Sequence, residues 1–482
     1  MCKVRCFLLI MIFAAAAAGA VPEKMPVPEE VCPGEEKTVL SLDEFLRLAG
    51  ENDTEFEQIL IDALALQYQH ALKLPAGDLV LSVKQQHEFF FDQDRDSPDT
   101  TVSLSKLFPY LGTTLTASYQ AGASMASAVT SSEANFSISQ PIAQNAFGRS
   151  TRLLDKIVGL EVDVARHQII EAYEDYLAVV LTAYYNWYED YKNLKVGRSS
   201  YQTNLRLLDN IHERRKQKIA LPIDVNKVKL QVMAKQEQLI ELEDRYRNSL
   251  NIVKRIIRYE GDASLVPSEP DVPVPPRGEF KELFRTFHEE SRTFEVLRML
   301  EKKSGLQVDR DADVLLPSID LLIGYEIDGN KYGIENENNF FYAGVELEWP
   351  IGHQTERAQY EISRILERRT RLSTVNTYYR LYTQLRNLYL QIQREQRLID
   401  IAQQRIELAQ AVLDDEAENY SFGRVTLNDY IQAVNALDAN RFNKIARESL
   451  YKKLVVEWQR LTDQLVQLRG VTRELEQLKS KR

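Results

Sequence analysis

Residues 346–354 read ELEWPIGHQ, and residues 137–144 read SISQPIAQ. Both stretches contain a proline-isoleucine pair, which begins at Pro141 in the first and at Pro350 in the second. In each case the pair lies where a strand-like alternation of polar and apolar residues changes into a long helical pattern. This repeated order indicates that the chain contains two copies of one structural unit.

A long helical pattern follows each junction. In the first half, apolar residues three or four apart form a packing seam from about residue 151, over roughly 65 residues, or on the order of 100 Å of helix. The stretch KIALPID, residues 218–224, then leads into a return helix that we expect to end near Tyr259. In the second half, the helix expected over residues 355–418 has apolar residues on two flanks, so it should pack between two neighbours, as in a ring. The turn NYSFGRVTLNDY, residues 419–430, precedes a second return helix.

Strand-like segments precede each junction. They read DLVLSVKQQHEFFF, TTVSLSKLF, GTTLTASYQ and ANFSISQP in the first half, and LPSIDLLIGYEIDG and NNFFYAGVELEWP in the second. We expect a helix ahead of each group, over residues 41–73 and 279–306. The turn LFPYLGTT in the first half leaves open whether an extra hairpin forms or the strands are longer. Aromatic residues in these segments favour a girdle that faces lipid: Phe89, Phe90, Phe91, Phe340, Phe341 and Tyr342.

The N-terminus has the pattern of a secretory signal peptide. Lys3 and Arg5 precede an apolar core, and Ala18-Gly19-Ala20 has the small-x-small form of a cleavage site. The mature chain then keeps only Cys32, so no internal disulfide is expected. The predicted organisation is a signal peptide (1–20), a flexible Pro/Glu-rich leader (21–40), a first repeat (41–260), a Pro-rich linker (261–278), a second repeat (279–470) and a charged tail (471–482).

Composition and motifs exclude several classes of function. The formal charge of -11 argues against a general affinity for nucleic acid or anionic lipid. After the signal peptide, no apolar run approaches the roughly 18 to 20 residues of a spanning helix. If the exported protein enters a membrane, it must therefore do so as a closed barrel, which needs strands from several copies. No His-Glu-x-x-His motif, paired cysteine or GxxxxGK[ST] motif occurs, so we expect no metal, no cofactor and no enzymatic activity.

This order of elements resembles the TolC family of outer-membrane efflux proteins over roughly residues 41–468. The signal peptide, the duplicated strand-and-helix unit, the two Pro-Ile junctions and the Pro-rich midpoint all match. The turn YSFGRVTLNDYIQA is similar to the Gly-led periplasmic turn of the family, which ends in Asp. The resemblance implies a mainly α fold with a β-barrel part: a homotrimer whose copies each give four strands to an outer-membrane barrel, with a helical tunnel in the periplasm.

The same resemblance implies a function and partners. The protein would be a passive export channel of a tripartite efflux or type I secretion system, without a cofactor. Its partners would be outer-membrane lipid, a periplasmic adaptor and an inner-membrane pump of the RND, ABC or MFS type, and nucleic acid would not be among them.

The resemblance also assigns roles to residues of the two helix turns. Gly423 becomes the turn glycine and Asp429 the tip aspartate, with Asp224 in the equivalent place of the first half. Asp429 from three copies would form an acidic ring that gates the tunnel. Thr426 and Asp429 also have the spacing of a helix cap, so a purely structural role for Asp429 stays open.

The sequence departs from the family pattern at these turns. Gln432 stands where the family often has a second acidic residue, and Lys218 occupies the glycine position of the first turn. The adaptor-contacting triplets of the family are replaced by Gln217-Lys218-Ile219 and Phe422-Gly423-Arg424, so Lys218, Phe422 and Arg424 become candidate adaptor contacts.

An alternative is an exported coiled-coil scaffold or adhesion protein without a pore. Such a protein would not require a duplicated pair of strands ahead of each long helix.

Overall fold

The structure is a computed structural model that describes residues 37–90, 95–123, 130–261, 264–330 and 338–468. The predicted signal peptide, Cys32, Phe91 and the charged tail lie outside these ranges, as do the side chains of Phe89 and Phe90. Within the described ranges, none of the helices combines the length and the apolar character needed to cross a membrane.

The described chain consists of short helices, one large sheet and two long helical hairpins. The first half contains β1 (Lys37–Leu40), α1 (Leu42–Asn52), α2 (Thr54–Ala65), α3 (Gln69–Lys73), β2 (Leu79–Phe90), β3 (Arg95–Phe108), β4 (Thr113–Ala123), β5 (Thr130–Pro141), α4 (Arg149–Lys216) and α5 (Pro222–Ile256). The second half contains β6 (Ser264–Pro267), α6 (Phe280–Glu290), α7 (Arg292–Asp313), β7 (Ser318–Asn330), β8 (Asn338–Glu348), α8 (Gln354–Ser421), α9 (Leu427–Leu461) and α10 (Leu465–Leu468).

The two long hairpins have equal dimensions. Helices α4 and α8 each have 68 residues, and their return helices α5 and α9 each have 35. Equal lengths confirm the duplicated unit that the junction sequences predict.

The short helices are more interrupted than the sequence pattern predicts. The helix expected over residues 41–73 breaks at Asp53, whose extended backbone ends α1, and again at the 3-10 turn Leu66–Tyr68. The helix expected over residues 279–306 breaks at Ser291, whose hydroxyl accepts a hydrogen bond from the Phe294 amide (3.3 Å) and caps α7.

Residues 37–40 correct the prediction of a flexible leader that extends to residue 40. They form β1, which pairs in parallel with β6 at the start of the Pro-rich linker. Leu40 and Leu265 are buried in the core around α4. The Tyr184 hydroxyl donates to the carbonyl oxygen of Leu40 (2.9 Å). The strand forms because its apolar residues bury against a helix that lies far away in the sequence.

The large sheet has the strand order β2-β3-β4-β5-β7-β8 and is antiparallel throughout. The first half contributes four strands and the second half two, so the first half contains an extra hairpin, and the turn LFPYLGTT joins β3 to β4. The sheet of the described chain thus has six strands, two more than the four per copy that the resemblance implies. In a single chain the sheet is open, with β2 and β8 as its edges.

The strand register divides the predicted aromatic girdle between two faces. Phe341 pairs with Tyr325 and lies on the face that also holds Phe136 and Leu81. Because neighbouring residues of a strand point to opposite sides, Phe340 and Tyr342 lie on the other face, so these two residues and Phe341 do not share one girdle face. The Tyr342 hydroxyl donates there to the Asn135 side-chain oxygen (3.0 Å).

Helix α4 is the centre of the helical part. It packs against α5, α7 and α9, while α8 packs against α7 and α9. Trp187, Tyr184 and Tyr185 on α4 are at most 1% exposed and form the middle of the largest apolar cluster. The predicted seam on α4 is thus the core of the helical part.

Candidate functional site: the turns of the long hairpins

The turns at the ends of α4 and α8 have the same backbone geometry. Lys218 and Gly423 adopt left-handed conformations, with φ angles of 63° and 73°. The amide of the following residue, Ile219 or Arg424, donates to the carbonyl oxygen five residues earlier, at 2.9 Å in each turn. This is the Schellman pattern that ends a helix. The equivalence of Lys218 and Gly423 therefore extends to their backbone conformation.

Each return helix begins with an aspartate that caps it. The Asp429 carboxylate accepts a hydrogen bond from the Thr426 amide (3.0 Å), and the Thr426 hydroxyl accepts one from the Asp429 amide (3.3 Å). In the first turn, Asp224 accepts from the Leu221 amide (3.1 Å). Leucine has no side-chain acceptor, so only half of the capping box forms there.

Asp429 is exposed and negatively charged near neutral pH. Hydrogen bonds from the Thr426 side chain and backbone hold the pKa of its carboxyl below the usual value for Asp. Gln432 lies about one turn further along α9 and is exposed as well. The cap leaves the Asp429 carboxylate accessible to ions, so capping and ion binding are compatible.

Arg214 joins the end of the first hairpin to the end of the second. Its guanidinium lies 4.7 Å from the ring centroid of Tyr420, and it donates to the carbonyl oxygens of Tyr420 (3.3 Å) and Ser421 (3.4 Å). The Tyr420 ring stacks on Tyr430 of α9, at 5.7 Å between centroids. We call Arg214, Tyr420 and Tyr430 the tip clamp. The carbonyls lie at the C-terminal end of α8, where the helix dipole favours a cation.

A buried polar contact connects the hairpins deeper in the structure. The Lys235 amine lies 2.8 Å from the Asp438 carboxylate, and both side chains are at most 10% exposed. The Ser200 hydroxyl donates to the same carboxylate oxygen. The Asp438 carboxylate therefore binds α9 to both α4 and α5.

The outer surface of the two turns combines apolar and basic side chains. Ile219, Leu221, Ile223 and Phe422 are each more than half exposed. Lys218 and Arg424 are also exposed, and the Arg424 guanidinium lies 5.3 Å from the Phe422 ring centroid. Large exposed apolar residues concentrated on two turns are typical of a surface that binds a partner.

The proline junctions lie at the opposite end of the long helices. Pro141 is the last residue of β5, and Pro350 is the second residue after β8. A left-handed residue then precedes each long helix: Asn145 (φ 52°) in the first half and His353 (φ 46°) in the second. The Asn145 side-chain oxygen accepts hydrogen bonds from the first residues of α4.

Sequence reasoning did not identify the tip clamp. The basic last turn of α4, Arg214-Arg215-Lys216, and the tyrosines that flank the second turn were the available signals. They do not show that the residues meet, because this depends on how the two hairpins lie side by side. Among the residues that the structure describes, no group of three potential metal ligands comes together.

Comparison with solved structures identifies the fold. The structure of CusC has a TM-score of 0.67 at 11% identity, and the match covers 92% of this chain and 99% of CusC. CusC was solved for its conformational changes during folding and transmembrane channel formation. The outer membrane protein VceC from Vibrio cholerae has a TM-score of 0.67 at 12% identity, and the match covers 87% of this chain and 95% of VceC. The CmeC outer membrane channel of Campylobacter jejuni has a TM-score of 0.65 at 13% identity, and the match covers 91% of this chain and 89% of CmeC.

No protein-family model and no curated protein sequence matches the chain. At these low identities, the likeness to solved structures establishes the fold alone. The chain has the fold of these outer membrane channels, and the fold expected from the resemblance to the TolC family is confirmed at that level.

Proposed function

We propose that three copies of this chain form a passive outer-membrane channel for export, with a helical tunnel that extends into the periplasm and is gated at the hairpin turns. The shared fold of known outer membrane channels supports this proposal. The observation that carries it is the division of the sheet into one apolar and one polar face.

The strand register aligns apolar residues in one row across all six strands, and polar residues in the next row on five of the six. One row consists of Leu81, Leu104, Ala117, Phe136, Tyr325 and Phe341, and the next row, on the opposite face, consists of Ser82, Ser103, Ser118, Asn135, Glu326 and Phe340. Leu81, Phe136 and Phe341 are each more than half exposed. A sheet with an exposed apolar face and a polar opposite face suits a barrel wall between lipid and water.

The two edges of the chain suit a ring of identical copies. Edge strands β2 and β8 run in opposite directions, so β8 of one copy can extend the sheet of the next copy in an antiparallel manner. Helix α8 has an exposed apolar flank that includes Ile401, Leu408 and Val412, and α5 has one with Leu230 and Met233. Contact between two different surfaces builds a closed ring when the rotation between successive copies closes on itself.

The hairpin turns would lie at the periplasmic end, with Asp429 of three copies forming an acidic ring. The exposed Phe422, Arg424 and Lys218 would contact a periplasmic adaptor. An inner-membrane pump of the RND, ABC or MFS type would then supply substrate and energy, in a tripartite efflux or type I secretion system. An exposed apolar sheet face disfavours the alternative of a water-soluble scaffold, because exposed apolar area costs about 25 cal/mol per Å².

Conductance across a planar bilayer tests the channel and its gate. The purified full-length protein would be compared with Asp429→Asn, which keeps an acceptor for the helix cap and removes the charge, and with Asp224→Asn, the equivalent change at the gate candidate of the first turn. We expect small, cation-selective openings that a trivalent cation added on the tip side blocks. Block should be weakened roughly tenfold in Asp429→Asn, because losing one charge at each of three sites reduces cation binding.

The possible results separate the parts of the proposal. Equal block in the natural protein and in Asp429→Asn would keep the channel but restrict Asp429 to capping α9. Absence of conductance from well-folded protein would contradict the channel and favour the scaffold.

A further inference from the structure

The two halves differ by one hairpin in the sheet. Hairpin β4–β5 leads into α4, just as β7–β8 leads into α8. Hairpin β2–β3 has no counterpart among the described residues of the second half. It pairs with β4 through the ten residue pairs from Asp99–Gly122 to Phe108–Thr113, so it is a full part of the sheet.

The base of this extra hairpin is fixed at the start of α4. The turn between β3 and β4 provides the Tyr110 carbonyl oxygen, which accepts a hydrogen bond from the Arg152 guanidinium (2.9 Å). The Leu111 carbonyl oxygen accepts one from the Gln140 side chain (3.0 Å). Gly148 has a φ of 73°, and a Cβ added to it would collide with the Tyr110 carbonyl. This close approach requires glycine, and it holds the hairpin in the wall of the sheet.

Small side chains occupy the middle of the polar face, and larger ones such as Glu326, Phe340 and Tyr342 lie on it toward β8. The four inner strands place Ser103, Ser105, Thr116, Ser118, Ser137 and Gly324 on this face. An eight-stranded barrel has an interior just wide enough for side chains to fill, whereas barrels of 16 to 18 strands leave an aqueous channel. Small hydroxyl side chains on the inner strands would leave this part of a lumen open and hydrated.

We infer that the extra hairpin widens the membrane part of the channel, so that it passes bulky hydrophilic solutes and leaves size selection to the helical tips. The inference rests on the proposed function, because it takes the polar face as the lumen of a trimer. Barrel diameter grows roughly linearly with the number of strands. Three sheets of six strands therefore enclose a bore about half as wide again as three sheets of four.

Deletion of residues 79–108 tests the inference, because it removes β2 and β3 at a point where the chain can be rejoined. A Cβ built on Gly77 would lie 3.3 Å from the Pro109 side chain, so joining Asp78 to Pro109 needs little movement. Both the full chain and the deletion variant would carry Arg214→Ala, so that the tip does not dominate the resistance. Neutral polyethylene glycols of graded size, added on the side of the sheet, report the largest polymer that enters each pore.

We expect the exclusion radius of the deletion variant to fall to roughly two thirds of that of the full chain. An equal radius in two conducting proteins would overturn the inference and keep the proposed channel. Absence of conductance from both folded trimers would instead contradict the proposed function. If the deletion variant does not assemble, electron cryo-microscopy of the natural trimer decides: six membrane strands per copy support the inference, and four overturn it.

Discussion

Lys218 and Gly423 occupy the same left-handed position in equivalent turns, and only one of them is a glycine. A side chain in this conformation costs about 1 to 2 kcal/mol, since its Cβ approaches the following carbonyl oxygen. The Schellman hydrogen bonds and the Asp224 cap hold Lys218 in place despite this cost. Retaining a lysine there exposes a cation on the turn that is proposed to meet an adaptor.

Replacing Lys218 by glycine should stabilise the end of α4. We expect a local gain of roughly 0.5 to 1 kcal/mol, because relief of strain exceeds the added freedom of the unfolded chain. Amide hydrogen exchange around residues 212–220 should slow by about two- to fivefold. The matched variant Gly423→Ala should accelerate exchange around residues 417–425 by a similar factor. Faster exchange in Lys218→Gly would contradict the strain argument.

For single residues, the sequence predicts contacts between near neighbours in the chain well. The spacing of Thr426 and Asp429 indicates a cap, and the structure contains both of its hydrogen bonds. The contact of Arg214 with Tyr420 joins residues 206 positions apart, and no local pattern reports it. Its formation depends on the packing of one hairpin against the other.

Between elements, the tip clamp is the contact that opening of the tunnel would break. Stacking on Tyr420 and two charge-assisted hydrogen bonds at a partly exposed site contribute about 1 to 2 kcal/mol. Asp438 lies well inside the bundle, where a buried ion pair is costly to separate. The hairpins are thus joined more weakly at the turns than further along, so the turns can separate while the rest stays packed.

Arg214→Lys should raise the open probability of the single channel by roughly tenfold, since it keeps the charge but loses the planar stacking and the paired donors. Arg214→Ala should have at least the same effect. The exposed neighbour Arg215, replaced by lysine, is the control and should leave gating unchanged. Channels with natural closed times in both Arg214 variants would show that the clamp does not hold the gate shut.

The long elements were predictable, and the short ones were less so. A repeat of three and four residues predicts α4 and α8 because their apolar stripes persist over many turns. Strand β1 has four residues and forms only by pairing with β6, which lies far along the chain. The breaks at Asp53 and Ser291 interrupt patterns that stay amphipathic on both sides, so periodicity alone does not locate them.

For the whole molecule, the open edges of the sheet and of the helical part fall on corresponding sides. Strand β2 follows the α1–α3 segment, which with α5 lies beside α4, and β8 leads into α8. Each side offers unpaired backbone in the sheet and exposed apolar side chains in the helices. In the proposed assembly, one neighbour, a further copy of the chain, would cover both the unpaired backbone and the exposed apolar side chains.

Leu408→Glu tests this assembly directly. Leu408 is 68% exposed in the single chain and lies on the same flank of α8 as Ile401 and Val412. If this flank packs against the next copy, burial of Leu408 contributes about 1.5 to 3 kcal/mol per contact, and a buried carboxylate reverses the effect. Native mass spectrometry of the detergent-solubilised protein should then show loss of the trimer.

Gln396→Glu is the matched control for Leu408→Glu, because Gln396 is exposed on the same helix but lies off the apolar flank. It should leave the trimer intact. Circular dichroism should give the same helix content for both variants, so that loss of assembly is separated from loss of folding. A stable trimer of Leu408→Glu would show that this flank of α8 is not the contact between copies. The edges of the sheet would then be the sole support for a ring.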